Sequence, residues 1–266
     1  MKLYEELTAK ERDMYILEVV KLLLSDDLVA AGEHRLPEWE AGWTKALKDM
    51  QLIPLYHGKH KLLHWKQRIV RPLVPDLDYY IHCQIVDWAI RKYLSHKDAI
   101  FDFGCGTADH LRRARLYTNA RLVGLDWAKA SQDIISEIGG IEGRNFDLYE
   151  PDYSLDFPPN SGVLTVAALE QVGERFEPFL QFLLEKRPAI CVHIEPIDEL
   201  MDQDNLIDML SVWYCHKRNY LRGFLTRLRQ LRDEGKVDIH LERRTYTGSY
   251  FIEGHSLVVW SPKEAR

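Results

Sequence analysis

The stretch from Ile100 to Leu111 constrains the fold of this chain more than any other segment. It reads Ile-Phe-Asp-Phe-Gly-Cys-Gly-Thr-Ala-Asp-His-Leu, an apolar strand that runs into a glycine-rich turn, Gly104-Cys105-Gly106, where a helix should begin. Glycines let the backbone turn tightly and lie against a ligand, because a Cβ would collide with it. A glycine-rich loop between a strand and a helix is the setting of a nucleotide site in an α/β fold.

Two acidic positions indicate which nucleotide this loop suits. Asp109 stands where the dinucleotide-binding fingerprint requires a third glycine. Asp102 precedes the first glycine by two residues, where a carboxylate would repel a pyrophosphate but would suit a ligand with an ammonium group. A second short strand ends in Asp126, 20 residues after Gly106, which is the spacing at which a carboxylate meets ribose hydroxyls.

The pattern Asp102-x-Gly104-x-Gly106 resembles motif I of the class I S-adenosylmethionine-dependent methyltransferases. The resemblance covers roughly residues 97–262. It implies an α/β, Rossmann-like doubly wound sheet of seven strands, one of them antiparallel, with S-adenosyl-L-methionine as the cofactor. We divide the chain into an N-terminal helical lid or substrate-recognition element, residues 1–75, and a methyltransferase domain, residues 76–266.

The resemblance also implies a set of cofactor-binding positions. In the family the acid of motif I faces the methionine end of the cofactor, and an acid or amide after the third strand lies beside the adenine amino group. Asp147 (or Asn145) takes the latter place, with an ordinary turn residue as the alternative. Leu169-Glu170 stand where many small-molecule members carry Leu-Glu-His, and Gln171 in place of the histidine weakens a general-base role there. The expected set is Asp102, Gly104, Cys105, Gly106, Asp126, Trp127, Asp147, Leu169 and Glu170.

Methylation of a hydroxyl usually needs a general base to take its proton. Three residues near the expected strand ends and the following helix are candidates, in the order His216, Glu195 and His193. Glu195 ends the fifth strand at the expected cleft. His193 lies on the same side of that strand and could instead be a buried core histidine.

The apolar spacing predicts helices over residues 3–24, 37–50 and 78–94 and a long helix over 204–233. Residues 237–245 and 255–260 are expected to form a terminal hairpin. The long helix would carry four arginines on one face, Arg218, Arg222, Arg229 and Arg232. A formal net charge of −6 and the lack of interleaved aromatics favour a solvated face over a nucleic-acid surface.

A histidine- and lysine-rich segment follows the second helix. His57, His60 and His64 have helical spacing, but the absence of a carboxylate between Asp49 and Asp76 argues against a metal site, and none is expected. Anion recognition by the cations of this segment and a solvated basic face both remain open. These cations are Lys59, Lys61, Lys66, Arg68 and Arg71.

Four scattered cysteines, and no apolar run of about 18 residues, predict a cytoplasmic protein with reduced thiols and no membrane span. Segments around residues 168–176, 193–197 and 216–224 resemble bacterial methyltransferases of polysaccharide or secondary-metabolite synthesis. That resemblance implies O-methylation of a sugar, a phosphorylated metabolite or another polar small molecule. Two alternatives stay open: a methyltransferase acting on RNA or protein, and a non-catalytic cofactor-binding partner. The oligomeric state also stays open.

Overall fold

The computed structural model describes residues 2–54 and 57–263. Its first elements are β1 (Tyr4–Glu6), α1 (Ala9–Leu24), α2 (Leu36–Lys48), β2 (Leu63–Trp65), β3 (Arg68–Pro72), α3 (Leu77–Ala89), β4 (Ala99–Phe103), α4 (Asp109–Ala114), β5 (Arg121–Asp126), α5 (Lys129–Ile138) and β6 (Glu142–Asn145). They are followed by β7 (Ser161–Val166), α6 (Glu177–Lys186), β8 (Ile190–Glu195), α7 (Leu206–Lys217), α8 (Phe224–Asp233), β9 (Val237–Arg243), β10 (Thr247–Gly248) and β11 (Ser256–Pro262).

Seven strands form the main sheet, in the order β6-β5-β4-β7-β8-β11-β9. The first five run parallel, and β11 is antiparallel to both of its neighbours. The three central strands, β4, β7 and β8, are buried along their whole length because helices cover both faces of the sheet. This sheet confirms the predicted Rossmann-like fold with one antiparallel strand, and the β9–β11 pair confirms the predicted terminal hairpin.

The sheet separates two apolar layers. Phe101 and Phe103 of β4 pack on one face with Phe179 and Phe182 of α6, and Ile100 packs on the other face. The chain order of the strands reverses at β4: β5 and β6 follow on one side of it, and β7 and β8 follow on the other. Ligands of open α/β sheets bind at such a switch point, outside the carboxyl ends of the strands.

A second, four-stranded antiparallel sheet has the order β1-β3-β2-β10. Three of its strands come from residues 4–72, where the sequence predicted a helical element and a helix beginning at Leu3. The helix begins instead at Ala9, because the side chains of Thr8 and Glu11 form a capping box. The N-terminal segment therefore contains the two predicted helices, α1 and α2, together with strands that the sequence did not predict.

The predicted helix over residues 204–233 is two helices, α7 and α8. The chain turns between them because Asn219 and Gly223 adopt left-handed conformations, with φ of 51° and 78°. All four arginines of the expected basic face contact oxygen atoms of the protein: Arg218 the Val29 carbonyl, Arg222 Glu174, Arg229 Glu242 and Arg232 Asp233. This pairing fits the predicted solvated face.

The histidine- and lysine-rich segment does not form a helix. His64 lies buried in β2, with Nε2 3.2 Å from the hydroxyl of Tyr15. Arg68 pairs with Glu6, and Arg71 pairs with Glu5 and Glu11, in ion pairs that are exposed or half-exposed. Within residues 2–54 and 57–263, no group of three or more histidine, cysteine or carboxylate side chains is arranged to hold a metal ion.

Among the helices of the described residues, none combines the length and the apolar character that crossing a bilayer requires. All four cysteines are buried free thiols.

Candidate functional site

The glycine-rich loop joins β4 to α4 at the switch point of the main sheet. Gly104 and Gly106 both have left-handed backbones, with φ of 73° and 51°. A Cβ on Gly104 would lie 2.4 Å from Cβ of Ala168, and a Cβ on Gly106 would lie 2.8 Å from the ring of Trp43. The glycines are thus required by neighbouring protein atoms, from the loop after β7 and from α2.

Asp126 ends β5 beside this loop and is 5 % exposed. Its Oδ2 accepts a hydrogen bond from the backbone N–H of Gly106 at 2.9 Å, and its Oδ1 accepts one from Ala128 at 2.9 Å. Burial raises the pKa of Asp126 to about 6, against the effect of these two bonds. Each carboxylate oxygen retains a lone pair for a hydroxyl donor.

A cavity with about 790 Å³ of empty space lies over the loop, and we call it the first cavity. Its floor is residues 104–107 with Asp126 and Trp127, and its side wall includes Phe146, Leu148 and Tyr149. Trp39 and Trp43 of α2, whose ring centroids are 5.7 Å apart, complete the wall. Its lining is mostly apolar and aromatic with a few polar groups, which is typical of small-molecule and cofactor sites.

Two contacts hold the N-terminal segment over the first cavity. Glu40 of α2 accepts from the backbone N–H of Ala130 at 3.1 Å. The Thr107 hydroxyl donates to the carbonyl of Leu52 at 2.7 Å. The segment thus closes one side of the first cavity, as a lid would. The domain boundary at residue 75 stays a prediction.

Five of the nine expected cofactor residues line the first cavity: Gly104, Cys105, Gly106, Asp126 and Trp127. Asp147 does not, because its Oδ1 accepts from the backbone N–H of Tyr149 at 2.8 Å in a local turn. Leu169 is fully buried in the apolar core. Their neighbours in the sequence do line the first cavity: Phe146 and Leu148 beside Asp147, and Ala168 beside Leu169.

Asp102 lies behind the wall of the first cavity and is fully buried. Neither of its oxygens has a hydrogen-bond partner, and the nearest charge partner is Nδ1 of His110 at 3.5 Å. Burial raises the pKa of Asp102, and the contact with His110 opposes that rise. His110, which follows the glycine loop, is the residue of this pair that lines the first cavity.

A second, larger cavity adjoins the first. The two share the side chains of Trp39, Trp43 and Gln171 and the residue Ala167. Much of the rest of its wall is aromatic or charged and includes Arg35, His57, Lys59, His60, Glu170, Tyr214, Arg218, Tyr220, Phe251 and His255. We call it the second cavity.

Glu170, expected among the cofactor ligands, lines the second cavity. Gln171 Nε2 donates to its Oε1 at 2.9 Å, and Arg35 donates to Gln171 Oε1 at 3.4 Å. Burial, together with the nearby carboxylate of Glu195, raises the pKa of Glu170 to about 8. A carboxyl group with a pKa near neutrality can both take and release a proton at physiological pH.

None of the three expected general bases is among the residues that line these two cavities in the described parts of the chain. Glu195 is fully buried and accepts from the backbone N–H groups of Ala168, Leu169 and Glu170 at 3.1, 3.2 and 3.3 Å. It therefore fixes the loop after β7 and is not positioned to touch a substrate.

The two histidines among the expected bases are also occupied. His193 is fully buried, with Nε2 accepting from Trp260 at 2.9 Å and Nδ1 2.9 Å from the Thr165 hydroxyl, and burial lowers its pKa to about 3. It has the alternative role considered above, that of a core histidine. His216 is 43 % exposed, and its Nε2 lies 2.8 Å from Asp198.

Trp39, Trp43, His110 and Gln171 line the first cavity and were not in the expected set of cofactor residues. The four-residue spacing of Trp39 and Trp43 predicted a helix, but it carried no information about which surface that helix would cover. His110 stands within the glycine-loop sequence itself, and a search for polar residues in that loop would have found it.

No protein-family model matches the chain, and a comparison with curated proteins gives no match. Solved structures do resemble it. Human N-acetylserotonin methyltransferase in complex with S-adenosylmethionine superposes with a TM-score of 0.56 and 12% identity, over 97% of this chain and 68% of that one. The N-methyltransferase NodS from Bradyrhizobium japonicum, in complex with S-adenosylhomocysteine, gives a TM-score of 0.53 and 10% identity, over 84% of this chain and 100% of that one.

Proposed function

We propose that this chain, which has the fold of the class I S-adenosylmethionine-dependent methyltransferases, binds S-adenosyl-L-methionine in the first cavity and methylates a hydroxyl group of a small molecule held in the second. One observation carries the proposal: the two cavities meet at Trp39, Trp43, Ala167 and Gln171. A methyl donor and an acceptor in adjoining cavities can be held in line, which is the main requirement of a displacement at carbon.

The residues of the first cavity fit this cofactor. Asp126 would hold the ribose hydroxyls with its free lone pairs, and Gly104, Cys105 and Gly106 of the loop line the same cavity. Phe146 and Leu148 provide apolar surface for the adenine. When bound, S-adenosylmethionine supplies a methyl group on a positively charged sulfur.

Glu170 is the residue of this chain best placed to take the proton of the acceptor hydroxyl. It lines the second cavity one residue before Gln171, which reaches both cavities. Its Oε2 is free to accept while Gln171 holds Oε1. Glu170 therefore replaces His216, Glu195 and His193 as our candidate base.

The second cavity supports a polar acceptor with at least one flat face. Trp39, Tyr214 and Phe251 can stack on a sugar or an aromatic ring, and Lys59 of the same wall provides a cation for an acidic substituent. Arg35 and Arg218 also line this cavity, but Arg35 pairs with Glu38 and Arg218 contacts the Val29 carbonyl. An RNA substrate has less support, because the arginines of the former basic face are engaged with protein oxygens. The free buried thiols support a cytoplasmic enzyme.

Calorimetric titration with S-adenosylmethionine, S-adenosylhomocysteine and NAD tests the cofactor. We expect micromolar binding of the first two and none of NAD. Asp126→Ala should weaken binding by about ten- to a hundred-fold, as expected for a charged hydrogen-bond acceptor. Asp133→Ala is the matched control, since this acid lies on the exposed surface paired with Lys129. Equal losses in the two variants, or binding of NAD, would refute the assignment.

Turnover is tested by measuring S-adenosylhomocysteine release with sugars, sugar phosphates and hydroxylated aromatic acids. For any accepted substrate, Glu170→Gln should lower kcat by about 10²–10⁴-fold, the usual contribution of a general base, with little change in cofactor affinity. An unchanged kcat would exclude Glu170 as the base.

A further inference from the structure

Arg35 of the N-terminal segment reaches the candidate base Glu170 through a single side chain, that of Gln171. Nη1 of Arg35 donates to Oε1 of Gln171 at 3.4 Å, and Nε2 of Gln171 donates to Oε1 of Glu170 at 2.9 Å. Arg35 is 8 % exposed and Gln171 is 9 % exposed, and 136 positions of the chain separate them. We call Arg35, Gln171 and Glu170 the polar row.

The position of Arg35 is set by α2, which begins at the next residue. Its Nη2 and Nε donate to the two carboxylate oxygens of Glu38 at 2.6 and 2.9 Å, and its guanidinium lies over the Trp39 ring at 5.3 Å. Glu40 of the same helix accepts from the backbone N–H of Ala130 at 3.1 Å. The N-terminal segment thus covers the first cavity and also places a cation next to the base.

The donors and acceptors of the polar row allow one orientation of the Gln171 amide. A guanidinium carries only donors, so it requires the amide oxygen, and the amide NH2 group then points at Glu170. Because an NH2 group cannot accept, a proton taken up by Glu170 belongs on Oε2 and not on Oε1. With the amide turned round, its oxygen would accept from a protonated Glu170 and would stabilise the form that cannot act as a base.

Other groups also face Glu170. Burial and the carboxylate of Glu195 at the end of β8 raise its pKa, whereas the hydrogen bond from Gln171 and the charges of Arg218 and Arg35 oppose the rise. In the described parts of the chain, Arg35 is the one of these two cations that also bonds to Gln171. Burial raises the pKa of three further groups near Glu170, which therefore stay neutral at physiological pH: Tyr214, Cys215 and Tyr220.

We propose that Arg35 is a positioning residue that holds the Gln171 amide with its NH2 group toward Glu170, so that Oε2 of Glu170 takes the proton of the acceptor hydroxyl. The proposal rests on the assignment of Glu170 as the base. Arg35 acts on that base through Gln171, and the N-terminal segment thereby supplies a side chain on which proton uptake depends.

Titration of the glutamate carboxyl groups by ¹³C NMR tests the polar row in the protein without any ligand. The Glu170 signal is the one that disappears in Glu170→Gln. We expect Arg35→Met to raise the pKa of Glu170 by about one unit, because the ionised form loses the donor and the cation that favour it. Arg35→Lys, which keeps a cation with donors only, should titrate close to the wild type. An unchanged pKa in Arg35→Met would overturn the inference.

A second comparison separates an effect through Gln171 from a direct effect of charge. In a Gln171→Leu background, Arg35→Met should shift the pKa of Glu170 by less than about half as much, since the residue between them is gone. A shift that persists in full would mean that Arg35 acts by its charge alone, and would also overturn the inference. Should Arg35→Met not fold, Arg35→Gln removes the same charge with a shorter side chain, and the same shift is expected.

Turnover connects the polar row with the reaction. For a substrate accepted in the assay above, Arg35→Met should lower kcat at pH 7.5 by about tenfold, the equivalent of one pKa unit, and leave KM within about twofold. A raised KM with an unchanged kcat would make Arg35 an acceptor-binding residue and contradict the positioning role. Failure of the proposed function is a separate result: Glu170→Gln would then keep its kcat, although Arg35→Met still shifted the pKa of Glu170.

Discussion

The two sheets of this protein are held together in different ways. The seven-stranded sheet is buried between layers of apolar side chains, and its central strands are shielded on both faces. The four-stranded sheet has strands of two to five residues and buries fewer apolar side chains, among them Leu63, Ile69 and Val70, and it also has buried ion pairs near its β10 edge. There Arg244 pairs with Asp208 at 2.5 Å and with Glu253 at 2.7 Å, and all three side chains are buried.

The two sheets are therefore sensitive to different kinds of substitution. Apolar burial is spread over many side chains, so the removal of a group of atoms from one of them costs only a small part of the total stabilisation. A buried charge that loses its partner bears the whole desolvation cost by itself. Single substitutions should therefore affect the four-stranded sheet most through its charges and the seven-stranded sheet most through steric clashes.

The largest expected effect is that of Arg244→Met. It leaves two buried carboxylates without their cation and should lower the free energy of unfolding by about 3–5 kcal/mol, as measured by urea denaturation. The matched control is Arg227→Met, which removes a part-exposed pair with Glu177 at 3.1 Å and should cost less than about 1 kcal/mol. Similar costs for the two variants would contradict the contrast between the sheets.

A smaller effect is expected from Gly104→Ala in the seven-stranded sheet domain. The added Cβ meets Cβ of Ala168 at 2.4 Å on a left-handed backbone, so we expect a loss of about 3 kcal/mol in unfolding free energy. Gly223 has a left-handed backbone with a φ of 78° and open space around its Cβ position, so Gly223→Ala should cost only about 1 kcal/mol. If both variants lost the same amount, backbone strain alone would explain the glycine and the clash would be irrelevant.

The smallest effect is a difference in pH dependence. Asp126 has a folded pKa of about 6, and its ionised form binds ribose. The affinity for 5′-methylthioadenosine, which carries the adenine and ribose of the cofactor, should therefore fall as the pH drops below about 6, by at most tenfold per pH unit.

The pKa of Asp208 lies on the other side of its usual value. Its hydrogen-bond partners, above all Arg244, outweigh burial and hold the folded pKa of Asp208 below 3.8. The stability from that pair is complete above the unfolded pKa and is lost only as the pH falls through the lower folded value. As the pH is lowered from 7 to 3, calorimetry should show weaker methylthioadenosine binding before unfolding curves show a lower stability. A fall of the affinity and of the stability at the same pH would contradict this order.

The sequence predicted the seven-stranded sheet well because its signals are local. The strand, the glycine loop, the helix and the acid at Asp126 follow each other within 27 residues, 100–126. The four-stranded sheet pairs Thr247 with Trp65 and Tyr4 with Pro72, far apart in the chain. Strands of two or three residues have no periodicity to detect, so their partners could not be predicted.

The candidate site shows the same division. Gly104, Gly106 and Asp126 were expected to bind the cofactor and lie in the cavity wall, because local spacing fixes their positions. The choice of base depended on which strand-end side chains reach a cavity, and Glu195 and His193 turn inward to bond with the loop after β7 and with Trp260. Trp43 reaches the glycine loop from more than 60 residues away, and only the fold reveals that contact.

The most direct test of the account is a crystal structure with S-adenosylhomocysteine bound. We expect the ribose hydroxyls within hydrogen-bond distance of Asp126, and the sulfur at the junction of the cavities formed by Trp39, Trp43, Ala167 and Gln171. The acceptor side of that sulfur should then face Glu170. A ligand seated away from Asp126, or a sulfur that faces away from the second cavity, would contradict the proposed methyl transfer between the two.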